Sequence, residues 1–553
     1  MGEQITVAID VLEVGERVLA TSAAYFAGLC EQNGRISTTR MDQYQRSLFD
    51  LAASATNLAA ARQLLNHAHR YQADEQTRGQ LVVHLALLNA ATAVQELRGQ
   101  IDLRAAELGL DGSTPVVDLN GTAVTTFLRQ QRANQNIETA AKLLLQTNNS
   151  GPNGLNAEQR DLQAIFRRFA QEKVAPFAEE IHREDRDLPE TMLRELAQMG
   201  CFGLSIPERY GGFQNDTQPD HMAMVIVSAE LARASFGTAG SLITRPELLA
   251  KALLQGGTEA QKQKWLPLIA TGERQAAVAI TEPDFGSDVA RLATAARKVP
   301  GGWRLNGSKM WCTFAGRADL IVVLARTDPD LSQGHRGLTL FIVEKPAATG
   351  HNFSHTTNGG SVSGYAIPTI GYRGMHSFAL TFDDYFVPDV NVIGEKNGLG
   401  RGFYLQMHSF SGSRLQTAAR ALGVMTAAFY EALKYTRERQ VFGRPLCDYQ
   451  LVQHKLVAMA RLIQAGRQFT YHAARELDAG RGAETAAMAK FFTGRAAEWV
   501  TREALQLHGG MGYAEEFPVS RHFVDARVFS IFEGAEEVLA LRIIARGLLR
   551  ECL

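Results

Sequence analysis

Near the C-terminus a carboxylate stands between an aromatic residue and a glycine, in Ser530-Ile531-Phe532-Glu533-Gly534-Ala535-Glu536-Glu537. Apolar residues follow at helical spacing: Val538, Leu539, Leu541, Ile543, Ile544, Leu548 and Leu549. Glu533 is therefore expected on a tight turn ahead of a core-packed helix. A carboxylate stripped of water by a neighbouring ring becomes a stronger base, and a glycine beside it lets the backbone approach a ligand. That combination suits a general base for a weakly acidic carbon. Glu536 and Glu537 have the plainer reading of acids in a helix's first turn, where the dipole favours them.

Four further stretches could bind something polar or aromatic. Thr281-Glu282-Pro283-Asp284-Phe285-Gly286-Ser287-Asp288 follows a strand and offers hydroxyls and backbone N–H groups in a glycine-containing turn, a surface able to hold a polar ring or a phosphate. Lys309-Met310-Trp311-Cys312-Thr313 is a strand carrying an aromatic plate. Arg437-Glu438-Arg439-Gln440-Val441-Phe442-Gly443 ends a helix with paired arginines suited to bidentate phosphate contact. Gln506-Leu507-His508-Gly509-Gly510-Met511-Gly512-Tyr513 is a glycine-rich turn after a helix. Each has a bland reading as well: a strand tryptophan is usually core, and helix-end arginines usually meet solvent.

The elements that must position these residues form an α+β chain. Residues 1–146 read as a helical extension, rich in good helix formers from Met41 to Ala106. Residues 147–155, with Thr147-Asn148-Asn149-Ser150-Gly151-Pro152-Asn153-Gly154, read as a linker of helix breakers. Helices resume over 156–274. Short apolar or alternating runs then mark a β domain over 275–395, among them Leu320–Leu324, Leu338–Val343 and Phe378–Phe382. With no helices between them, an antiparallel sheet is expected. The polar stretch His351–Tyr365 reads as an extended surface loop. Residues 396–553 return to helix as a C-terminal bundle.

The 553 residues are too many for one core. A net charge of −1 argues against nucleic acid as a partner, and no apolar run approaches a membrane span. The five cysteines are scattered without a CxxC pair, which argues against a zinc or other metal site and for a reducing, cytoplasmic (bacterial cytosolic) setting. A serine hydrolase lacks its G-x-S-x-G elbow here, and a nicotinamide enzyme its G-x-G-x-x-G turn.

In their order and spacing the motifs from about Arg160 onward resemble the acyl-CoA dehydrogenase flavoproteins: Thr-Glu-Pro…Gly-Ser-Asp, Lys-Met-Trp…Thr, Arg-Glu-Arg-x-x-Phe-Gly, Gln450, Gln-x-x-Gly-Gly and the final aromatic-Glu-Gly turn. The resemblance implies a helical domain, a β domain and a C-terminal four-helix bundle, with FAD held between the last two. It implies that Thr281, Trp311 and Thr313 line the flavin and that Ser287 faces the flavin or the CoA moiety. It further implies that Arg439, Phe442, Gln450, Gln506 and Gly510 reach the FAD of a neighbouring subunit. Arg414, in Ser413-Arg414-Leu415, matches an arginine near the active site, and Gly534 lies against substrate. Glu533 matches the catalytic base, its own N–H helping to polarise the thioester carbonyl while the β-hydride passes to the flavin. Electron-transferring flavoprotein is the implied acceptor. Ala535 and Glu537 depart from the family's usual Thr and Gln, so the flavin contacts of those two side chains are not carried over.

For the substrate, Ile243-Thr244-Arg245-Pro246 falls where the family closes its acyl pocket. An arginine there would pair a substrate carboxylate bidentately; the opposing reading turns Arg245 outward to cap a helix or meet a local acid. Together with the N-terminal extension, Arg245 makes the chain resemble the (2S)-methylsuccinyl-CoA dehydrogenases, implying oxidation of a short branched dicarboxylic thioester to mesaconyl-CoA. Tyr44–Ala52 is similar to a bundle helix of the family and is expected to fold against the C-terminal bundle, which makes a homodimer as plausible as a homotetramer. The alternatives are another short- or branched-chain specificity, an acyl-CoA oxidase, and a non-catalytic relative serving as an assembly scaffold.

Overall fold

A computed structural model describes residues 2–71 and 77–553. The chain forms two compact units, Met1–Arg160 with Thr417–Leu553, and Asp161–Gln416.

In the first unit the extension is built on three long helices, Gly2–Cys30, Gln45–His69 and Thr77–Arg104. The Gln45–His69 helix buries Leu48, Leu51, Leu58, Leu64 and Leu65 and packs against the C-terminal helices Gln450–Asp478 and Ala483–His508. Phe49 meets Phe491 edge to face at 5.7 Å, and Arg542 pairs with Asp42 at 2.7 Å. The extension thus folds onto the C-terminal helices, as the pattern at Tyr44–Ala52 suggests. The breaker-rich stretch after it is pinned: Gln464 Nε2 donates to the Ser150 carbonyl at 2.6 Å, and Gln468 Nε2 to that of Asn153 at 3.0 Å. Its glycines and prolines stop the helix, and side chains of the Gln450–Asp478 helix satisfy the carbonyls thereby exposed.

In the second unit, helices from Ala157–Phe169 (its residues from Asp161 on) to Glu259–Ala270 precede an eight-stranded sheet. Its strands are β1 (Ala276–Ala279), β2 (Ala295–Val299), β3 (Gly302–Thr313), β4 (Leu320–Arg326), β5 (Leu338–Glu344), β6 (Asn352–Thr357), β7 (Gly360–Ala366) and β8 (Ser377–Pro388). They run in the order β1-β4-β2-β3-β8-β7-β6, with β5 also paired to β4. The pairing is antiparallel except where β4 runs parallel to β1 and touches β2. β4 is buried on both faces: Leu320, Val322 and Leu324 pack with Trp265 and Leu253, while Ile321 and Val323 pack with Trp303 and Phe382. That double burial explains its unbroken apolar run.

One expectation fails. His351–Tyr365 is not a surface loop; most of it forms the β6–β7 hairpin, in register from Asn352↔Tyr365 to Thr357↔Gly360. Asn358 and Gly359 turn the chain at φ 49° and 79°, the positive values an Asn-Gly hairpin turn requires. Its polar side chains suit a hairpin at the sheet's edge, and their composition masked the alternation.

Candidate active site

The turn at Glu533 is strained and strapped. Glu533 has φ 54° and Gly534 φ 99°; the left-handed conformation costs a non-glycine residue about 1–2 kcal/mol. A Cβ on Gly534 would come within 2.8 Å of Leu539. Lys490, itself buried, donates to the Gly534 carbonyl at 2.6 Å. The helical run from Glu536 to Arg550 follows, burying Leu539, Leu541, Ile544 and Leu549.

The Glu533 carboxylate is side-chain buried (6% exposed) and faces the Thr417 hydroxyl at 3.2 Å and Arg420 Nη2, also at 3.2 Å. Arg420 is wholly buried, donates to Thr417 as well, and lies 5.3 Å from the Phe532 ring centroid. The aromatic neighbour read from sequence therefore packs on the guanidinium, and a cation meets the carboxylate. Arg420 escaped the sequence reading. Its signal was a lone arginine in Thr417-Ala418-Ala419-Arg420-Ala421-Leu422, three positions from Thr417 and so on the same helix face.

In the second unit Arg245 is buried, at 8% exposure. Its Nη2 donates to the Tyr372 hydroxyl at 3.3 Å, and Tyr372 stacks on Phe236 at 4.5 Å. Glu247, on the same helix, is buried too, and its carboxylate lies near Gly412. Thr244 donates to Gln416 at 2.5 Å, so the start of this helix meets the segment that carries Arg414.

The sheet brings a third group together. The Met310 N–H donates to the Thr281 carbonyl at 2.8 Å. Next in line, Trp311 stands 53% exposed at φ 60°, and Thr313 is buried with its hydroxyl 3.0 Å from that of Ser377. Ser287 is exposed. Beneath this loop Glu282 binds Lys309 at 2.8 Å and accepts from the N–H groups of Ala293 and Thr294. Burial works to raise the Glu282 carboxyl, but Lys309 and these hydrogen bonds outweigh it and hold it below the carboxylate range. Burial pulls the Lys309 ammonium down.

The remaining predicted residues belong to the first unit. Tyr435 stacks on His508 at 4.3 Å, so two helix ends lie side by side. Arg439 and Phe442 follow one end, Gln506 and Gly510 stand at the other, and all four are exposed, Phe442 at 96%. Gln450 instead donates to Glu138 of the extension at 2.8 Å.

Residues 156–273, 277–385 and 400–549 match the N-terminal, middle and C-terminal domains of acyl-CoA dehydrogenase. The chain belongs to the acyl-CoA dehydrogenase family. It is an FAD-dependent oxidoreductase acting on CH–CH groups of acyl-CoA thioesters. It is 36% identical to (2S)-methylsuccinyl-CoA dehydrogenase of Cereibacter sphaeroides, over 99% of both chains. Among solved structures it is similar to butyryl-CoA dehydrogenase of Megasphaera elsdenii, with TM-score 0.65 and 34% identity over 72% of this chain and 99% of that one. It is also similar to a glutaryl-CoA dehydrogenase in complex with glutaryl-CoA, with TM-score 0.63 and 32% identity over 70% and 94%. No helix among the described residues is long and apolar enough to cross a membrane.

An exposed indole near the end of β3, whose neighbour Met310 bonds to Thr281 of the adjoining loop, fits a flat heteroaromatic ring. That is the chemistry of the family's FAD.

Proposed function

We propose that this acyl-CoA dehydrogenase oxidises a short branched dicarboxylic acyl-CoA, (2S)-methylsuccinyl-CoA to mesaconyl-CoA, with Glu533 as the base. The observation that carries the catalytic reading is the Glu533 carboxylate, buried on a strained turn and held by Thr417 and Arg420. A carboxylate so placed removes the α-proton, and the Glu533 N–H donates to the thioester carbonyl as negative charge develops there. Bound FAD supplies the two-electron acceptor for the β-hydride. Thr281, Trp311 and Thr313 hold the flavin ring, Ser287 lies against the flavin or CoA, and Arg414 and Gly534 lie against substrate. Arg439, Phe442, Gln450, Gln506 and Gly510 serve the FAD of a second subunit in a homodimer or homotetramer. Electron-transferring flavoprotein takes up the electrons.

Arg420 acts as a positioning residue. Its charge-assisted contact fixes where the carboxylate points. A guanidinium there also offsets the repulsion that a second, substrate-borne carboxylate would feel near the base.

The diacid reading is supported by the buried Arg245, by similarity to the full-length methylsuccinyl-CoA relative, and by similarity to a relative that binds glutaryl-CoA. A guanidinium held away from water binds a carboxylate strongly and with fixed geometry; the substrate's free carboxylate is the proposed ligand. Anaerobic flavin bleaching with a panel of short acyl-CoAs tests this. Methylsuccinyl-CoA should bleach fastest. In Arg245→Met its KM should rise by roughly ten- to a hundredfold, the equivalent of about 1.5–3 kcal/mol for a charged hydrogen bond, with butyryl-CoA little changed. Equal losses on both substrates would remove Arg245 from carboxylate recognition. Peroxide yield in place of electron transfer to the flavoprotein would favour the oxidase reading.

A further inference from the structure

We propose that Asp185, His351 and His376 form a divalent-cation site of the zinc type in the second unit. Three separate segments deliver them. Asp185 follows the Ala175–Glu184 helix in a left-handed conformation, φ 52°. His351 immediately precedes β6, and His376 immediately precedes β8.

The donor atoms are spaced as ligands of one ion would be. His351 Nε2 lies 3.1 Å from His376 Nε2. His376 Nε2 lies 3.4 Å from Asp185 Oδ1, and His351 Nε2 lies 3.5 Å from Asp185 Oδ2. A tetrahedral zinc ion with bonds of about 2.0–2.1 Å separates its ligands by roughly 3.3 Å; the two imidazole nitrogens are that far apart, and each has one oxygen of the Asp185 carboxylate at a similar distance. The Asp185 carbonyl oxygen, 3.0 Å from one imidazole Nε2 and 3.2 Å from the other, adds a fourth donor on the same side.

Hydrogen-bond accounting points the same way. His376 Nδ1 lies 3.1 Å from Asp187 Oδ1. An ionised carboxylate only accepts, so Nδ1 carries a proton, and Nε2 is the nitrogen left to offer a lone pair to an ion. That lone pair then faces a second imidazole nitrogen and two oxygens of Asp185. A proton can bridge one of those pairs, whereas a cation satisfies all of them. A carboxylate behind a histidine is also the arrangement that orients imidazole ligands and strengthens them as donors. Two nitrogens with carboxylate oxygen suit zinc better than calcium or magnesium. Arg373 lies 3.7 Å from Asp185 Oδ1, which leaves Oδ2 the better placed oxygen. His351 and Asp185 have side chains 47% and 34% exposed, so an ion can enter from solvent. Once bound, it would tie the helical layer of this unit to two strands of its sheet.

The test uses tag-free, full-length protein, stripped with a chelator and dialysed against zinc chloride. Elemental analysis should find one zinc per chain, and calorimetric titration should show that His351→Gln, a change at a half-exposed side chain, weakens binding by at least about a hundredfold. Asp187→Asn, which alters the carboxylate that faces His376 and also accepts from the Gly350 N–H, should weaken it by about ten- to a hundredfold. Zinc should raise the melting temperature of the parent protein and leave that of His351→Gln where it was. Absence of stoichiometric zinc in the parent, or equal affinity in His351→Gln, would overturn the proposal and leave a proton-sharing network.

Discussion

Two buried carboxylates in this chain each face a wholly buried cation, and they are built for opposite ends. Glu282, under the Thr281–Asp288 loop, meets Lys309 at 2.8 Å and accepts from two backbone N–H groups at 2.7 and 2.9 Å. Glu533 meets Arg420 and Thr417 at 3.2 Å, through side chains of a single helix, on a backbone bent into positive φ. Backbone amides cannot withdraw without unfolding the loop, so Glu282 is a fixture. Side-chain contacts at longer range can be exchanged for a substrate. With Glu533 as the proposed base, burial and ion pairing do not separate the two carboxylates; the kind of donor and the strain of the backbone do.

Exchanging the same mutation between the two sites tests that contrast most severely. Glu533→Gln should cut the rate of flavin reduction by about a thousandfold, within the range for losing a positioned base, at a smaller cost in stability because Arg420 keeps its bond to Thr417. Glu282→Gln should do the reverse, removing about 3–5 kcal/mol of stability by stranding Lys309 while sparing turnover per folded enzyme. Urea unfolding beside anaerobic stopped-flow measures both, and a large stability loss in Glu533→Gln would erase the distinction. The double change Glu282→Leu with Lys309→Met should recover much of the lost stability, since an apolar pair can replace a buried ion pair.

A smaller effect is expected at Arg420. Arg420→Met should slow exchange of the substrate α-proton with solvent deuterium by roughly ten- to a hundredfold, and Arg420→Lys should restore part of it. Slowing without rescue by lysine would reduce Arg420 to packing.

The smallest effect is expected at a half-buried acid, Glu484. Among the described residues Glu484 forms no ion pair, and burial, reinforced by the Glu551 charge, pushes its carboxyl up to about 7 from 4.5. The folded chain then holds a proton that the unfolded chain releases between about pH 4.5 and 7, so this group's contribution to stability falls as pH rises through that window. Glu484→Gln should therefore raise the melting temperature by a few degrees at pH 8 and hardly at all at pH 5.

The tight turn at Glu533 was legible because its signal is local: aromatic, carboxylate, glycine, then an apolar helix. The β domain was legible from runs such as Leu320–Leu324, and the docking of Tyr44–Ala52 from its helical pattern. What stayed hidden depends on distance or on competing cues. Arg420 is 113 positions from the carboxylate it holds, and nothing in its alanine-rich setting announces burial. Arg245 was seen, yet whether it faced inward was fixed only by Tyr372, 127 positions on. In the β6–β7 hairpin, polar composition outweighed the Asn358-Gly359 turn signal. The Asp185–His351–His376 cluster has no spacing motif, because its members lie 166 and 25 positions apart.

The pinned connection between Thr147 and Gly154 also bears on dilution. A helical cover supplied by another molecule would dissociate as protein became scarce. Here peptide bonds keep the cover at a fixed local concentration whatever the total, so the buried seam between the Gln45–His69 and Gln450–Asp478 helices should persist at nanomolar enzyme. Its loss would follow heat or denaturant and not the volume of the cell.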